Sequence, residues 1–204
     1  MTHDTPEPDT ELSKLLTAYS KKQLQIMDAA LELFANKGYW ATTIPEIAEA
    51  ARCGPATIYR HFDGKEGLVN HVYRRARSRL VAAAYQEWTS ELPFKTVFET
   101  TCYNVFELAR QSPSVLIFLE LHHHDEYLDE ATRRIDELAT QTIFDELERA
   151  RDARLIKPIS DPMIMSLILG SAAHAVKTAR RGYIELDEET STAFILTLWE
   201  AIRA

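Results

Sequence analysis

Cysteine and glycine are scarce in this chain, two and six among 204 residues. Cys53 and Cys102 lie far apart, with no CxxC or Cys/His spacing, which argues against a disulfide framework and a structural zinc. No glycine-rich phosphate loop, nucleophile elbow or HExxH helix occurs, so the common signatures of nucleotide binding and hydrolysis are missing. Long apolar runs are also absent; none approaches the ~20 residues of a membrane-spanning helix, and no membrane partner is expected. Basic residues are missing from the start, where Asp4, Glu7 and Asp9 stand in place of the cationic and apolar parts of a secretion signal; a cytoplasmic location is the expectation. Period-two alternation, internal repeats and low-complexity blocks do not appear, which leaves little room for a β architecture.

What is present is helical. Hydrophobic residues make up 46% and charged residues 26% of the chain, ordinary for a globular protein with a real core. The net charge of −8 is unevenly distributed. Between Lys21 and Leu80 ten Lys/Arg face six Asp/Glu, whereas from Val81 onward twelve face twenty-one. A mildly basic N-terminal third on an acidic remainder points to a separate nucleic-acid-binding module. Three regions are expected: a mobile tail over 1–20, a small module over 21–67, and a larger helical domain over 68–204. Ile26, Ala29, Ala30, Leu33 and Phe34 follow one helix face, closed near Gly38. Thr43-Ile44-Pro45-Glu46 is a capping box with proline in the first turn, and Ile44, Ile47, Ala48 and Ala51 form the stripe of a two-turn helix. Arg52-Cys53-Gly54 makes a tight connection, and Pro55 opens a third short helix to about His61. Asp63-Gly64-Lys65-Glu66 reads as a further start signal for a long helix through Leu68, Val72, Ala76 and Leu80. Later helices are expected over Phe94–Arg110, Pro113–His122, Glu126–Ala153, Pro162–Arg181 and Glu188–Ile202.

Two short helices joined by about three residues, the second rich in small and hydroxyl side chains, describe a helix-turn-helix. The stretch from Thr42 to Phe62, with Lys65-Glu66-Gly67-Leu68 after it, resembles the tetracycline-repressor (TetR) family of bacterial regulators. The resemblance covers Ile26 to Leu68: an AA-x-x-LF helix, Gly38, paired threonines, Ile-Ala, Thr-Ile-Tyr, His-Phe and Lys-Glu. A recognition helix must approach the major-groove floor, which suits Pro55 and Ala56 in its first turn. Thr57 and Tyr59 put hydroxyls within reach of phosphates, and Lys65 offers its ammonium beside free helix N–H groups. The resemblance implies that Thr43, Tyr59 and Lys65 clamp the DNA backbone while Pro55, Ala56 and Arg60 face base edges, and His61 completes the set. Arg60 suits bidentate pairing with guanine. Two departures from the family pattern are Arg52, where glycine is usual in the turn, and Gly54, where serine usually caps.

One such module makes few contacts, so a palindromic double-stranded operator calls for a homodimer. Ile164, Leu167, Ile168, Ser171, Ala172 and Ala175 form one candidate interface stripe, and Ile195, Leu198, Trp199 and Ile202 its partner stripe. By resemblance these last two helices form a four-helix dimer bundle. Phe98, Cys102, Tyr103, Phe106, Phe118, His122, Tyr127 and Phe144, with His174, are candidates for a pocket holding a small apolar or amphipathic effector; a plain core would use the same residues. The run His122-His123-His124-Asp125 raises metal binding, but adjacent helical residues fan out by about 100°. No metal or cofactor is expected. The expected function is a DNA-binding repressor released by its effector; the alternatives are an effector-independent binder and a metal-dependent hydrolase using the His122 cluster.

Overall fold

Ser20 starts the first helix by accepting from the Gln23 N–H while the Gln23 side chain accepts from the Ser20 N–H, a reciprocal cap. The structure, a computed structural model, describes residues 19–86, 92–121, 124 and 126–204, and among these it is all-helical. Helix α1 is Lys21–Lys37, α2 is Ile44–Ala50, α3 is Pro55–Phe62 and α4 is Gly64–Ala84. Then follow α5 (Phe94–Gln111), α6 (Pro113–Leu121), α7 (Glu130–Asp152), α8 (Asp161–Arg180) and α9 (Glu188–Ile202). Of the expected tail, 1–18 lie outside the described residues. Tyr19 packs edge-on against His71 and donates a 3.0 Å hydrogen bond to its Nδ1 or accepts one from it, so this end is tied to α4.

Helices α1, α2 and α3 enclose a small core with the start of α4. Ile26, Met27, Ala30, Leu31 and Phe34 are buried on α1, whereas Ala29 and Leu33 are only half-buried. The buried face is thus turned from the expected one toward Met27 and Leu31, because α1 is covered by both α4 and α6. Ile44, Ile47, Ala48 and Ala51 are all buried on and after α2, as the periodicity requires. The start signal at Asp63 is not used as expected. Its backbone is left-handed (φ 55°, ψ 39°), its side chain caps nothing, and its N–H donates to the Tyr59 carbonyl. A side-chain N-cap needs extended backbone; Asp63 instead turns the chain directly from α3 into α4.

Helix α6 is the hub of the larger domain. Its run Val115, Leu116, Ile117, Phe118 and Leu119 is buried on every side, and α1, α4, α5 and α8 surround it. Helix α7 begins at Glu130, capped by Asp129 accepting from the Thr132 N–H, and not at Glu126 as expected. A polar network joins α4 to α7: Tyr73 donates to Asp136 at 3.0 Å, Arg77 pairs with Asp136 at 2.8 Å and donates to Thr140 at 2.8 Å. Arg74 pairs with Asp129, Arg75 with Asp28, and Arg79 donates to Ser112 at 2.5 Å. The basic run of α4 is therefore held within the chain.

Candidate nucleic-acid interface and apolar cavity

The turn between α2 and α3 is built from backbone bonds and one strained residue. Ala51 N–H donates to Ile47 O and Cys53 N–H to Ala48 O. Arg52 is left-handed, φ 47°, at a cost of roughly 1 kcal/mol for a side chain other than glycine. Lys22 answers the exposed carbonyls that end α2, donating to Ala51 O at 3.0 Å and Arg52 O at 3.2 Å. Sequence reading missed Lys22, because its partners lie 29 and 30 positions away.

Helix α3 is anchored by Ile58 and Phe62, both buried, and turns its other side outward. Pro55, Ala56, Tyr59 and Arg60 are exposed, with Tyr59 58% exposed, and Thr57 and His61 are half-buried beside them. An eight-residue helix thus offers one continuous face to solvent, carrying a phenol and a guanidinium. At the start of α2, Thr43 forms the expected capping box: Glu46 accepts from the Thr43 N–H at 2.8 Å and from its hydroxyl at 2.8 Å. Lys37 pairs with the same carboxylate at 2.7 Å.

Lys65 is more engaged than expected. Its Nζ donates to Tyr39 O and Thr42 O, each at 3.0 Å, and lies 4.2 Å from the centre of the Tyr39 ring. Partial burial lowers its pKa from the usual lysine value. Two of the three ammonium protons are committed to the chain, leaving one. Tyr39 itself stacks on Tyr127 at 4.2 Å between ring centroids. Asn70, buried on α4, donates to Tyr127 O and accepts from the Asp129 N–H, both at 2.8 Å. The Tyr127 hydroxyl lies 2.7 Å from His124 Nδ1, and His124 Nε2 lies 2.6 Å from Phe118 O. A continuous series of contacts therefore links α6, through His124 and Tyr127, to the loop before α2.

Among the described residues, the candidate pocket residues lie in different surroundings. Phe98 lines the apolar cavity of about 60 Å³ between the end of α4 and helices α5, α7 and α8. Cys102, Phe106, Phe118 and Tyr127 are buried in ordinary packing, with Phe106 against Phe194 and Phe118 against Phe34. Phe144 is half-buried away from the cavity wall. Tyr103 is 42% exposed over an open depression it shares with Glu107 and Arg110. His174 is exposed on α8, neither core nor pocket. His122 lies outside the described residues, as do His123 and Asp125, while His124 is buried. Spacing on a helix shows that a side is apolar, but not whether it meets a void or another side chain.

The interface stripes need a similar correction. Ile164, Ile168, Ala172 and Ala175 on α8, and Ile195, Leu198 and Ile202 on α9, are buried within a single protomer, where they pack into its own core. Leu167, Ser171 and Trp199 are half-buried, and Trp199 packs on Phe98 at 5.7 Å. The faces left outward carry Met163, Ser166 and His174 on α8 and Ala193, Leu196 and Thr197 on α9, with Leu196 51% exposed. The strongest apolar periodicity on these helices belongs to the domain's own core.

Residues 26–72 match the pattern of bacterial regulatory proteins, tetR family, and residues 75–204 match the tetracyclin repressor-like C-terminal domain. Among curated relatives, the uncharacterized HTH-type transcriptional regulator YvkB of Bacillus subtilis (strain 168) is 56% identical over 45 residues, 22% of this chain and 24% of that protein. The HTH-type transcriptional repressor KstR2 of Rhodococcus jostii (strain RHA1) is 29% identical over 114 residues, 54% of each chain. The matched stretches thus span about a quarter and about half of these relatives' lengths. A crystal structure of a TetR family transcription regulator from Marinobacter aquaeolei VT8 superposes with a TM-score of 0.78 at 20% identity, covering 89% of this chain and 95% of that one. The ketosteroid transcriptional regulator KstR2 of Mycobacterium tuberculosis gives 0.72 at 17%, covering 92% and 97%. These structural likenesses are ones of fold.

Proposed function

This chain belongs to the tetR family of bacterial regulatory proteins, and from that premise we propose a cytoplasmic repressor that leaves its operator when a small molecule binds. It is a DNA-binding transcriptional regulator and not an enzyme. The observation that carries the reading is α3, anchored by Ile58 and Phe62 and bare along the face of Pro55, Ala56, Tyr59 and Arg60. That rod enters a major groove with Arg60 toward base edges and Thr57, Tyr59 and His61 toward the flanking backbone. Lys65 keeps one proton for a phosphate while its other two hold the loop of Tyr39 and Thr42, so it clamps DNA and braces the module at once. Thr43 reaches a phosphate only by turning its hydroxyl proton away from Glu46.

Two copies of α3 are brought to successive groove faces, about 34 Å apart or a multiple, by pairing of the outward faces of α8 and α9. The effector acts on the larger domain, and α4 carries its effect: one end bears Lys65 and the other lines the cavity, about 30 Å away by helical rise. Among the described residues the apolar cavity holds about 60 Å³, far below the ~300 Å³ of ordinary ligand sites, and this favours a second reading, an effector-independent binder. Fluorescence anisotropy on DNA flanking the gene tests the interface. Tyr59→Phe and Lys65→Met each weaken binding at all sequences, and Lys65→Met, which removes a charge, also lowers the salt slope by about 1. Unchanged affinity and slope in both variants would remove the clamp assignment. A small-molecule screen by thermal shift separates the two readings.

A further inference from the structure

The cavity's walls are mainly apolar. Phe94, Val97, Phe98, Leu147, Met165 and Ile168 present carbon and one thioether sulfur. Three lining residues carry polar side-chain atoms: Tyr85, Thr101 and Glu146. The Thr101 hydroxyl already donates to Ala84 O at 3.1 Å, and Glu146 is ion-paired with Arg149. No lining residue is basic. The other cations nearest in sequence to the wall have partners of their own: Lys95 lies 3.6 Å from Glu99, and Arg151 pairs with Asp161. An anion drawn into this wall loses its water, meets no basic lining residue, and faces the carboxylate of Glu146.

We propose that the cavity takes an uncharged, predominantly apolar molecule and rejects a carboxylate of the same shape. This inference rests on the effector reading above. A void of about 60 Å³ is smaller than the ~150 Å³ that admits benzene in an engineered core, so the guest must widen it. Widening separates the end of α4 from α5 and α7, since those elements form its wall. A ligand that stabilises the widened state therefore shifts α4, and with it the helix that bears Lys65.

The test is a matched pair of probes, phenylbutanol and phenylbutanoate, titrated into the full chain at neutral pH. Thermal shift and tryptophan fluorescence both report, since Trp199 packs on Phe94 and Phe98. The alcohol is expected to bind about tenfold or more tightly than the carboxylate, the penalty of an unpaired anion. Glu146→Gln removes the facing charge and frees Arg149; carboxylate affinity then rises about fivefold while alcohol affinity stays within about twofold. Val97→Trp fills the void and abolishes binding of the alcohol. Equal or tighter binding of the carboxylate, an unchanged ratio in Glu146→Gln, or no binding of either probe would overturn the proposal. The effector reading is scored separately, on labelled operator-region DNA: an alcohol that binds without releasing DNA sinks that reading and leaves the selectivity standing.

Discussion

At the scale of single residues, two positions in the helix-turn-helix module invite measurement. Gly54 caps α3 with extended backbone (φ −77°, ψ 148°), makes no side-chain bond, and has nothing within 4 Å of where a Cβ would stand. A serine fits there, supplies the missing acceptor for the first-turn N–H groups, and restricts the unfolded chain. Gly54→Ser is expected to stabilise by about 0.5–1 kcal/mol, a rise of about 2 °C in a chain of this size. A melting curve no higher than that of the parent would show that the cap is not formed. Glu46 tells a different story. Its bond with Lys37 first, then those with the Thr43 hydroxyl and N–H, hold its carboxyl down to about 2. A depressed carboxylate contributes stability that is present above its unfolded value of 4.5 and is lost as pH falls through about 2. Glu46→Gln, which keeps the capping box but not the charge, should flatten that part of the acid limb in urea melts stepped through this window. An acid limb as steep as the parent's would place the loss elsewhere.

Among the elements, α4 and the segment 126–129 hold the two modules together. Asn70 satisfies Tyr127 O and the Asp129 N–H at once, from a position only 2% exposed. Asn70→Ala leaves both groups without that partner and is expected to cost about 2–3 kcal/mol, read as a lower urea midpoint. The same variant loosens the Tyr39–Tyr127 stack and the loop that Lys65 braces, so operator affinity should fall even where the chain remains folded. If stability drops while affinity in the folded range stays at the parent's value, this junction does not position the DNA-binding helices. Trp40 adds to the contact by donating from Nε1 to Glu126 at 3.2 Å. Its indole is otherwise 72% exposed.

For the molecule as a whole, the proposed function depends on pairing. The exposed face of α9 carries Leu196, and a charge there cannot be desolvated against a twin copy of itself without heavy cost. Leu196→Arg should give a folded monomer by sedimentation, with helix content unchanged. Its operator affinity should fall by about two orders of magnitude, since one recognition helix alone reaches only one half-site. A variant that remains dimeric would move the interface off this face. Among the described residues no helix is long and apolar enough to cross a membrane.

The helix-turn-helix was legible from the chain alone, because its determinants are local. A cap and its N–H lie three positions apart in Thr43 and Glu46, the apolar stripe of α2 repeats within two turns, and Pro55 needs no distant partner. The left-handed turn at Arg52 was visible in the same way, as a side chain standing where glycine is usual. Other features were settled only when the helices packed. Lys22 and Lys65 meet carbonyls more than twenty positions away, and Tyr39 finds Tyr127 across the module boundary. Periodicity identified the apolar sides of α8 and α9 but not their covering. Packing turned Ile164, Ile168 and Ile195 inward, left His174 and Leu196 outside, and closed Phe106, Phe118 and Tyr127 into solid core. Local hydrogen bonds and backbone preferences are written into neighbouring residues; what lies against a greasy surface depends on every other helix in the fold.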